Sequence, residues 1–272
     1  MQTDFGTGWG IVATMHGVCK QVDPELEICD ATHELPQFDA MEASYSLQYM
    51  IPYWPKGTVF VSVVDPGVGT DRKAAVAKTK NGYYIVTPDN GTLTFVKEMY
   101  GIEAIRQIDE TVNRYPGSEG VETFHGRDIF AYCAAKLAAG VISFEEVGPE
   151  YPVEEIVMIE RKKAVVGEGK IVGEITSGGE SFGNVETNIA NTDLDEAGFQ
   201  HGDFIKVTIQ DEEVTYFEGS VLYEKSFGYV EIGSPVIFKD LSSFVSIGLN
   251  QKSFAATYDI VSGKVYSISL TK

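Results

Sequence analysis

Four turns of this chain concentrate the residues that could do chemistry: TDFG (3–6), VVDPGVGTDR (63–72), TPDNG (87–91) and TFHGRD (123–128). In the second, an apolar run ends abruptly in Asp65. A carboxylate delivered by a buried run needs a partner, because an unpaired buried charge is expensive. Arg72 can supply one if the Gly- and Pro-rich turn folds back, although such a pair can also be purely structural. Asp65 is otherwise a turn residue before Pro66. Asp4 has two readings: a turn or cap residue, or a carboxylate that accepts sugar hydroxyls, as ribose-binding acids do. His125, between Phe124 and Gly126 at the mouth of a helix, is either a satisfied hydrogen-bonding histidine or an acid–base group. Asn81-Gly82 and Asn90-Gly91 read as turn chemistry, and Asp128 as a charge favoured by a helix dipole.

Several familiar schemes fail. No GxGxxG follows the first strand, and GVGTDR lacks the Walker lysine and spacing. There is no GxSxG elbow. His16, His33, His125 and His201 show no metal-ligand spacing. No metal and no cofactor is expected.

The elements that must position these turns alternate in the first half. TVFVSVV is short and β-branched, as in a strand buried on both faces. AAVAKTK and GYYIV flank Asn81-Gly82 as a hairpin. Helical patterns run from about Asp39 to Met50, through LTFVKEMYG, and most clearly through GRDIFAYCAAKLAAG, with Gly140 as C-cap. Alternation of this kind implies an α/β domain with a largely parallel sheet, where ligands bind beyond the carboxyl ends of the strands. PEYPVEEIVMIERKK reads as a connector. From Gly169 onward GKIVGEIT, DFIKVTIQ, VTYFEGSVLY, SPVIFKD, FVSIGLN, FAATYDI and KVYSISL read as strands of an antiparallel β-barrel, with no strong helix. The expected domains are an N-terminal α/β domain over 1–155 and a C-terminal β-barrel over 164–272.

The chain has 272 residues and a net charge of −19. That charge argues against nucleic acid and against anionic membrane surfaces as partners. Three widely spaced cysteines without a CxxC pair are expected to be buried reduced thiols. No apolar run is long enough to span a bilayer, and a cytoplasmic protein is expected. MQTDFG enters at a strand-to-turn junction with almost no strand before it, which leaves a longer original N-terminus open.

Taken together and in order, TDFG, THELPQFD, YWPKGTVFVSVVDPGVG, PDNGTL, TFHGRDIFA, SFGNVETNI and SIGLN resemble the SAM hydroxide adenosyltransferases, S-adenosyl-L-methionine hydrolases related to the fluorinase and chlorinase. The resemblance covers nearly the whole chain. It implies an α/β domain followed by a β-barrel, a homotrimer with active sites at subunit interfaces, and hydrolysis of S-adenosyl-L-methionine to adenosine and L-methionine. It also implies residue roles. The Asp–Arg–His set of the hydrolase branch falls on Asp65, Arg72 and His125, assigned jointly to orienting and activating water; whether Asp65 or His125 takes the proton stays open. Asp4 falls on the ribose-binding carboxylate, and Phe38 on an aromatic that packs against substrate. Gly126 falls on a small residue near the nucleophile. Phe182 and Asn184 fall on adenine contacts. Leu249, Asn250 and Gln251 fall on a stretch whose backbone meets adenine, and Tyr223 is a candidate stacking aromatic.

The methionine end departs from the pattern. Trp9 and Ser242 stand where the family has an Asp and, in the fluorinase, an Arg facing the methionine carboxylate. Glu180 is the acid nearest to a missing Asp. Two other readings therefore remain: an adenosine- or S-adenosylmethionine-binding module with little turnover, and a halide transferase. The latter is disfavoured by Asp65, where the fluorinase has Tyr, and by the short span from Arg72 to Asp89, which leaves little room for the fluorinase loop.

Overall fold

The apolar runs of the first half become strands whose order explains where the polar turns go. In the computed structural model, which describes residues 1–178, 182–261 and 264–272, the chain divides into two units, Met1–Ile159 and Glu160–Lys272. The first unit contains β1 (Gln2–Thr3), β2 (Val59–Val63), β3 (Ala74–Thr79), β4 (Tyr84–Pro88), β5 (Ile102–Gln107) and β6 (Glu150–Tyr151). Their sheet order is β1-β2-β4-β3-β5-β6. β1, β2 and β4 are parallel neighbours. β3 runs antiparallel to β4, because a tight turn at Asn81-Gly82 can only reverse the chain, and Gly82 adopts φ 93° there. β5 pairs antiparallel with both β3 and β6, so the sheet is mixed, with a parallel half (β1, β2, β4) and an antiparallel half. Asp4, Asp65 and Asp89 follow β1, β2 and β4. Three carboxylates are thereby delivered to one edge of the sheet, the edge at which open α/β sheets bind ligands.

The helices of this unit are α1 (Ile11–Val22), α2 (Ala40–Met50), α3 (Thr94–Tyr100), the single turn α4 (Glu110–Asn113) and α5 (Tyr132–Ala138). α2 starts where its sequence says it should: the Asp39 carboxylate accepts the Glu42 N–H at 3.0 Å, an N-cap. GRDIFAYCAAKLAAG is less regular than its periodicity implies. Its first turn, Gly126–Ala131, is a wide π-helical one that continues into α5, and Gly140 closes the segment at φ 68°. α1 carries no such sequence signal. Its N-cap is Gly10, left-handed at φ 67° with no capping side chain. Burial of Met15, Val18 and Cys19 in the core holds it instead. Cys19 and Cys133 are buried, and burial pushes their thiols up to about 11 and about 12. Cys29 departs from the expectation of three buried thiols: it lies at the surface.

The second unit is a barrel. Its strands are β7 (Val165–Gly167), β8 (Lys170–Gly178), β9 (Val185–Ala190), β10 (Phe204–Gln210), β11 (Thr215–Tyr223), β12 (Pro235–Lys239), β13 (Phe244–Leu249) and β14 (Tyr266–Thr271). Pairing of β14 with β8 closes a ring of seven strands among the described residues, and β7 adds to β8 outside it. The period-2 pattern of a half-buried strand is plain in β10, where Ile205, Val207 and Ile209 are inside. Two expectations change. β11 and β12 are parallel where an antiparallel barrel was expected. FAATYDI is not a strand: its first residues form the one-turn helix α7 (Phe254–Thr257), capped by the Ser253 hydroxyl, with Phe254 and Tyr258 packed on Phe217. A second short helix, α6 (Asn191–Glu196), follows β9.

Candidate active site

Asp65 stands two residues past the buried end of β2, and the turn after it is closed by the chain's own bonds. Val68 N–H donates to the Asp65 carbonyl, and Thr70 Oγ1 donates to Gly67 O at 2.6 Å. This fold-back returns Arg72 to Asp65. Its Nε lies 3.0 Å from both Oδ1 and Oδ2, and its Nη2 donates to Oδ2 at 2.5 Å. The guanidinium also lies over the ring of Phe130, 5.2 Å from its centroid. Nη2 has a second partner, His125 Nδ1, at 2.8 Å. The three side chains are 5%, 9% and 4% exposed. Charge-assisted bonds in so dry a setting are strong and fix geometry.

His125 is held by the turn that opens the π-helical segment, a feature frequent at functional sites. Gly126 follows it with no room for a side chain. A Cβ there would come within 2.8 Å of the Phe5 ring. The far side of the imidazole meets a residue that sequence reading missed: Nε2 lies 2.6 Å from Glu122 Oε2. The only sequence signal is a Glu three residues before a His. Glu122 is itself held by Arg114 at 3.0 Å, which also grips Glu110 at 2.6 Å. The bonds from His125 and Arg114 hold the Glu122 carboxyl below its ordinary range.

The other acids at this sheet edge differ. Asp4 is half-buried and accepts the Phe38 N–H at 3.0 Å through Oδ2, leaving Oδ1 without a protein partner among the described residues. Phe38 is left-handed at φ 67° and 67% exposed. Trp9 is left-handed too, and fully exposed. Asp89 turns inward. It is 4% exposed and accepts Tyr151 O–H at 2.8 Å and Val157 N–H at 3.0 Å, so TPDNG anchors β6 and the segment after it rather than facing a ligand. Burial raises the Asp89 carboxyl against those two bonds.

In the second unit Asn184 packs over Gly248 of β13. A Cβ at Gly248 would meet Asn184 Oδ1 at 2.4 Å and the Phe227 ring at 2.7 Å, so Phe227 joins this group without having been singled out by any motif. Phe182 is exposed nearby in sequence. Leu249 is buried, Gln251 is exposed and left-handed at φ 57°, and Asn250 lies between them. Both backbone groups of Asn250 pair with Ser234 and Gly233, and its Nδ2 donates to Val230 O at 2.8 Å. Tyr223 and Ser242 lie elsewhere than at a surface. Tyr223 is 2% exposed in the barrel core against the His201 ring, and Ser242 is 1% exposed in the turn before β13. Glu180 lies outside the described residues. No group of three or more potential metal ligands occurs among the described residues.

Comparison with known proteins bears on the whole of this arrangement. The model of the SAM hydroxide adenosyltransferase N-terminal domain matches residues 1–148, and that of the C-terminal domain matches 179–266. A protein from Methanocaldococcus jannaschii named (R)-S-adenosyl-L-methionine hydrolase is 39% identical over 215 residues, covering 77% of this chain and 72% of its own. A fluorinase from an Actinoplanes species is 27% identical, covering 98% and 95%. A crystal structure of an uncharacterized conserved protein from Thermotoga maritima superposes with a TM-score of 0.89 at 35% identity, covering 100% of this chain and 98% of that one. With both domain models matched in order and the Asp–Arg–His set in place, the chain belongs to the SAM hydroxide adenosyltransferase family.

Proposed function

We propose that this protein hydrolyses S-adenosyl-L-methionine to adenosine and L-methionine. The observation that carries the reading is the joined, nearly dry Asp65–Arg72–His125 set at the carboxyl end of β2. In the reaction a water oxygen bonds to C5′, the C5′–sulfur bond breaks, and methionine leaves as a neutral thioether. The water gives up a proton. The sulfonium already makes a good leaving group, so no general acid is needed. What is needed is a water held in line behind C5′ at near-attack distance and a group to take its proton. A halide site would instead call for desolvation without a competing water, and a buried carboxylate–guanidinium pair favours water. The half-occupied carboxylate of Asp4 suits the ribose hydroxyls. The Asn184, Phe182 and Asn250 region suits adenine.

Each unit taken by itself exposes large apolar side chains close in sequence to these residues: Trp9 and Phe38 in the first, Phe182 in the second. That supports a homotrimer in which active sites form between subunits. No helix among the described residues is long and apolar enough to cross a membrane. The three cysteines are free, which fits a reducing compartment, and we take the cytoplasm as its place of action.

The test is product analysis. Purified protein is incubated with each sulfonium epimer of S-adenosyl-L-methionine, with and without excess chloride or fluoride, since the M. jannaschii relative's name specifies the R form. Adenosine and methionine in equal amounts, indifferent to halide, are expected. A 5′-halo-adenosine would move the protein to the halide transferases. Intact substrate of both epimers with tight adenosine binding would make it a binding module.

A further inference from the structure

The set of side chains does not end at His125, and its continuation decides what the histidine can do. A guanidinium has only donors. Arg72 Nη2 therefore donates to His125 Nδ1, which must be unprotonated. In the neutral ring the proton then sits on Nε2, and there it meets Glu122 Oε2 at 2.6 Å. Both ring nitrogens are committed. This differs from a Ser–His–Asp relay, in which one imidazole nitrogen faces the nucleophile and is free to accept its proton.

Glu122 is placed for this by more than one contact. Arg114, 9% exposed, holds the Glu122 carboxylate on one side. Its Nη1 also reaches the carbonyls of Ser118 and Val121, which clamps the loop leading to His125. Gly69, in the turn that returns Arg72, lies against Glu122: a Cβ on Gly69 would sit 3.2 Å from the Glu122 carbonyl. The 65–72 turn and the 122–125 segment thus dock on each other, and charges alternate along Asp65, Arg72, Glu122, Arg114 and Glu110, with the neutral His125 bridging Arg72 and Glu122.

Resting on the proposed hydrolysis, we infer that Glu122 is a positioning residue that locks His125 in its Nε2–H form, so that His125 orients Arg72 and the water proton goes to Asp65. Asp65 has the capacity: a carboxylate offers about four lone-pair sites, and Arg72 approaches from one side only. The groups facing His125 are Arg72 at Nδ1 and Glu122 at Nε2, with Asp65 and Arg114 behind them. An imidazolium would set an Nδ1 proton against Arg72. Protonation therefore breaks the chain, and the Glu122 charge is what favours it.

The test has two readouts. Nitrogen-15 NMR of histidine-labelled protein, with His125→Asn to assign the signal among four histidines, reads the ring directly and needs no activity. A neutral ring protonated on Nε2 is expected near pH 7, and Glu122→Ala should lose that single form. An Nδ1-protonated ring or an imidazolium in the wild type, or an unchanged spectrum in Glu122→Ala, would overturn the inference. These outcomes hold whether or not the protein turns over S-adenosylmethionine. In kinetics, Glu122→Ala should lower kcat by about 10- to 100-fold, the range for residues that orient a functional side chain from behind, with KM nearly constant. Glu122→Gln retains an acceptor oxygen and should lose markedly less than Glu122→Ala. Equal losses in the two variants would overturn the inference. Glu122 is 54% exposed, so both variants should fold, and thermal melts check this.

Discussion

Asp65 and Arg72 are a matched pair because of shape as much as charge. The guanidinium presents a planar fork that can hold a carboxylate and still aim a hydrogen at His125. Arg72→Lys keeps the charge but replaces the fork by a point, so it cannot hold Asp65 and His125 at once. We predict that Arg72→Lys and Asp65→Asn each lower turnover by about 10²- to 10⁴-fold, the range for loss of acid–base assistance. Both should retain a cooperative melt; near-wild-type rates in either would remove the pair from the chemistry. This pair was legible in the sequence because an apolar run ending in Asp is costly without a partner, and Arg72 was the partner in reach. Glu122 was not legible. An exposed Glu near a loop reads as a solvated charge, and only the folding of the 65–72 turn against it shows otherwise.

At the scale of elements, the parallel trio β1, β2 and β4 delivers three acids to one edge, but their surroundings give them different work. Asp89 secures β6, through Tyr151, and the segment after it, through Val157. Its folded-state pKa is raised by burial, so the native protein holds this proton more tightly than the unfolded chain does. The contribution of Asp89 to stability is therefore greatest below about pH 3.9, the ordinary Asp value, and is lost as pH rises through the raised value. Asp89→Asn should gain stability relative to wild type as pH rises across that window. Melting both proteins at several pH values checks this, and a constant difference would contradict it. In the barrel, Gly248→Ala would drive a Cβ into Asn184 and Phe227. Overpacking of this kind costs about 1–3 kcal/mol. If it is relieved by displacing Asn184, calorimetry should show adenosine affinity weakened by roughly tenfold or more, since about 1.4 kcal/mol is tenfold; unchanged affinity would take Asn184 out of the adenine site. Strands and capped helices were readable from period and punctuation. α1, with a glycine at its start and no cap, was not, because tertiary burial rather than local propensity holds it. α7 was misread for the converse reason: the aromatic and β-branched residues of FAATYDI suit a strand, but the Ser253 cap and the Phe217–Phe254–Tyr258 ring cluster favour a helical turn.

At the scale of the molecule, the change of pattern near residue 150 marks the passage from an α/β unit to a barrel. The proposed homotrimer is a claim at this scale, and the exposed Trp9, Phe38 and Phe182 support it. Light scattering on the purified protein should give about three times the chain mass of 29.8 kDa; a monomeric mass would contradict sites shared between subunits. The central claim, though, is that water attacks C5′ of S-adenosylmethionine. It is tested most directly by running the reaction in H₂¹⁸O and weighing the products by mass spectrometry. The account predicts one ¹⁸O atom in adenosine, at the 5′ oxygen, and none in methionine. Unlabelled adenosine, or no adenosine at all from either sulfonium epimer, would contradict it.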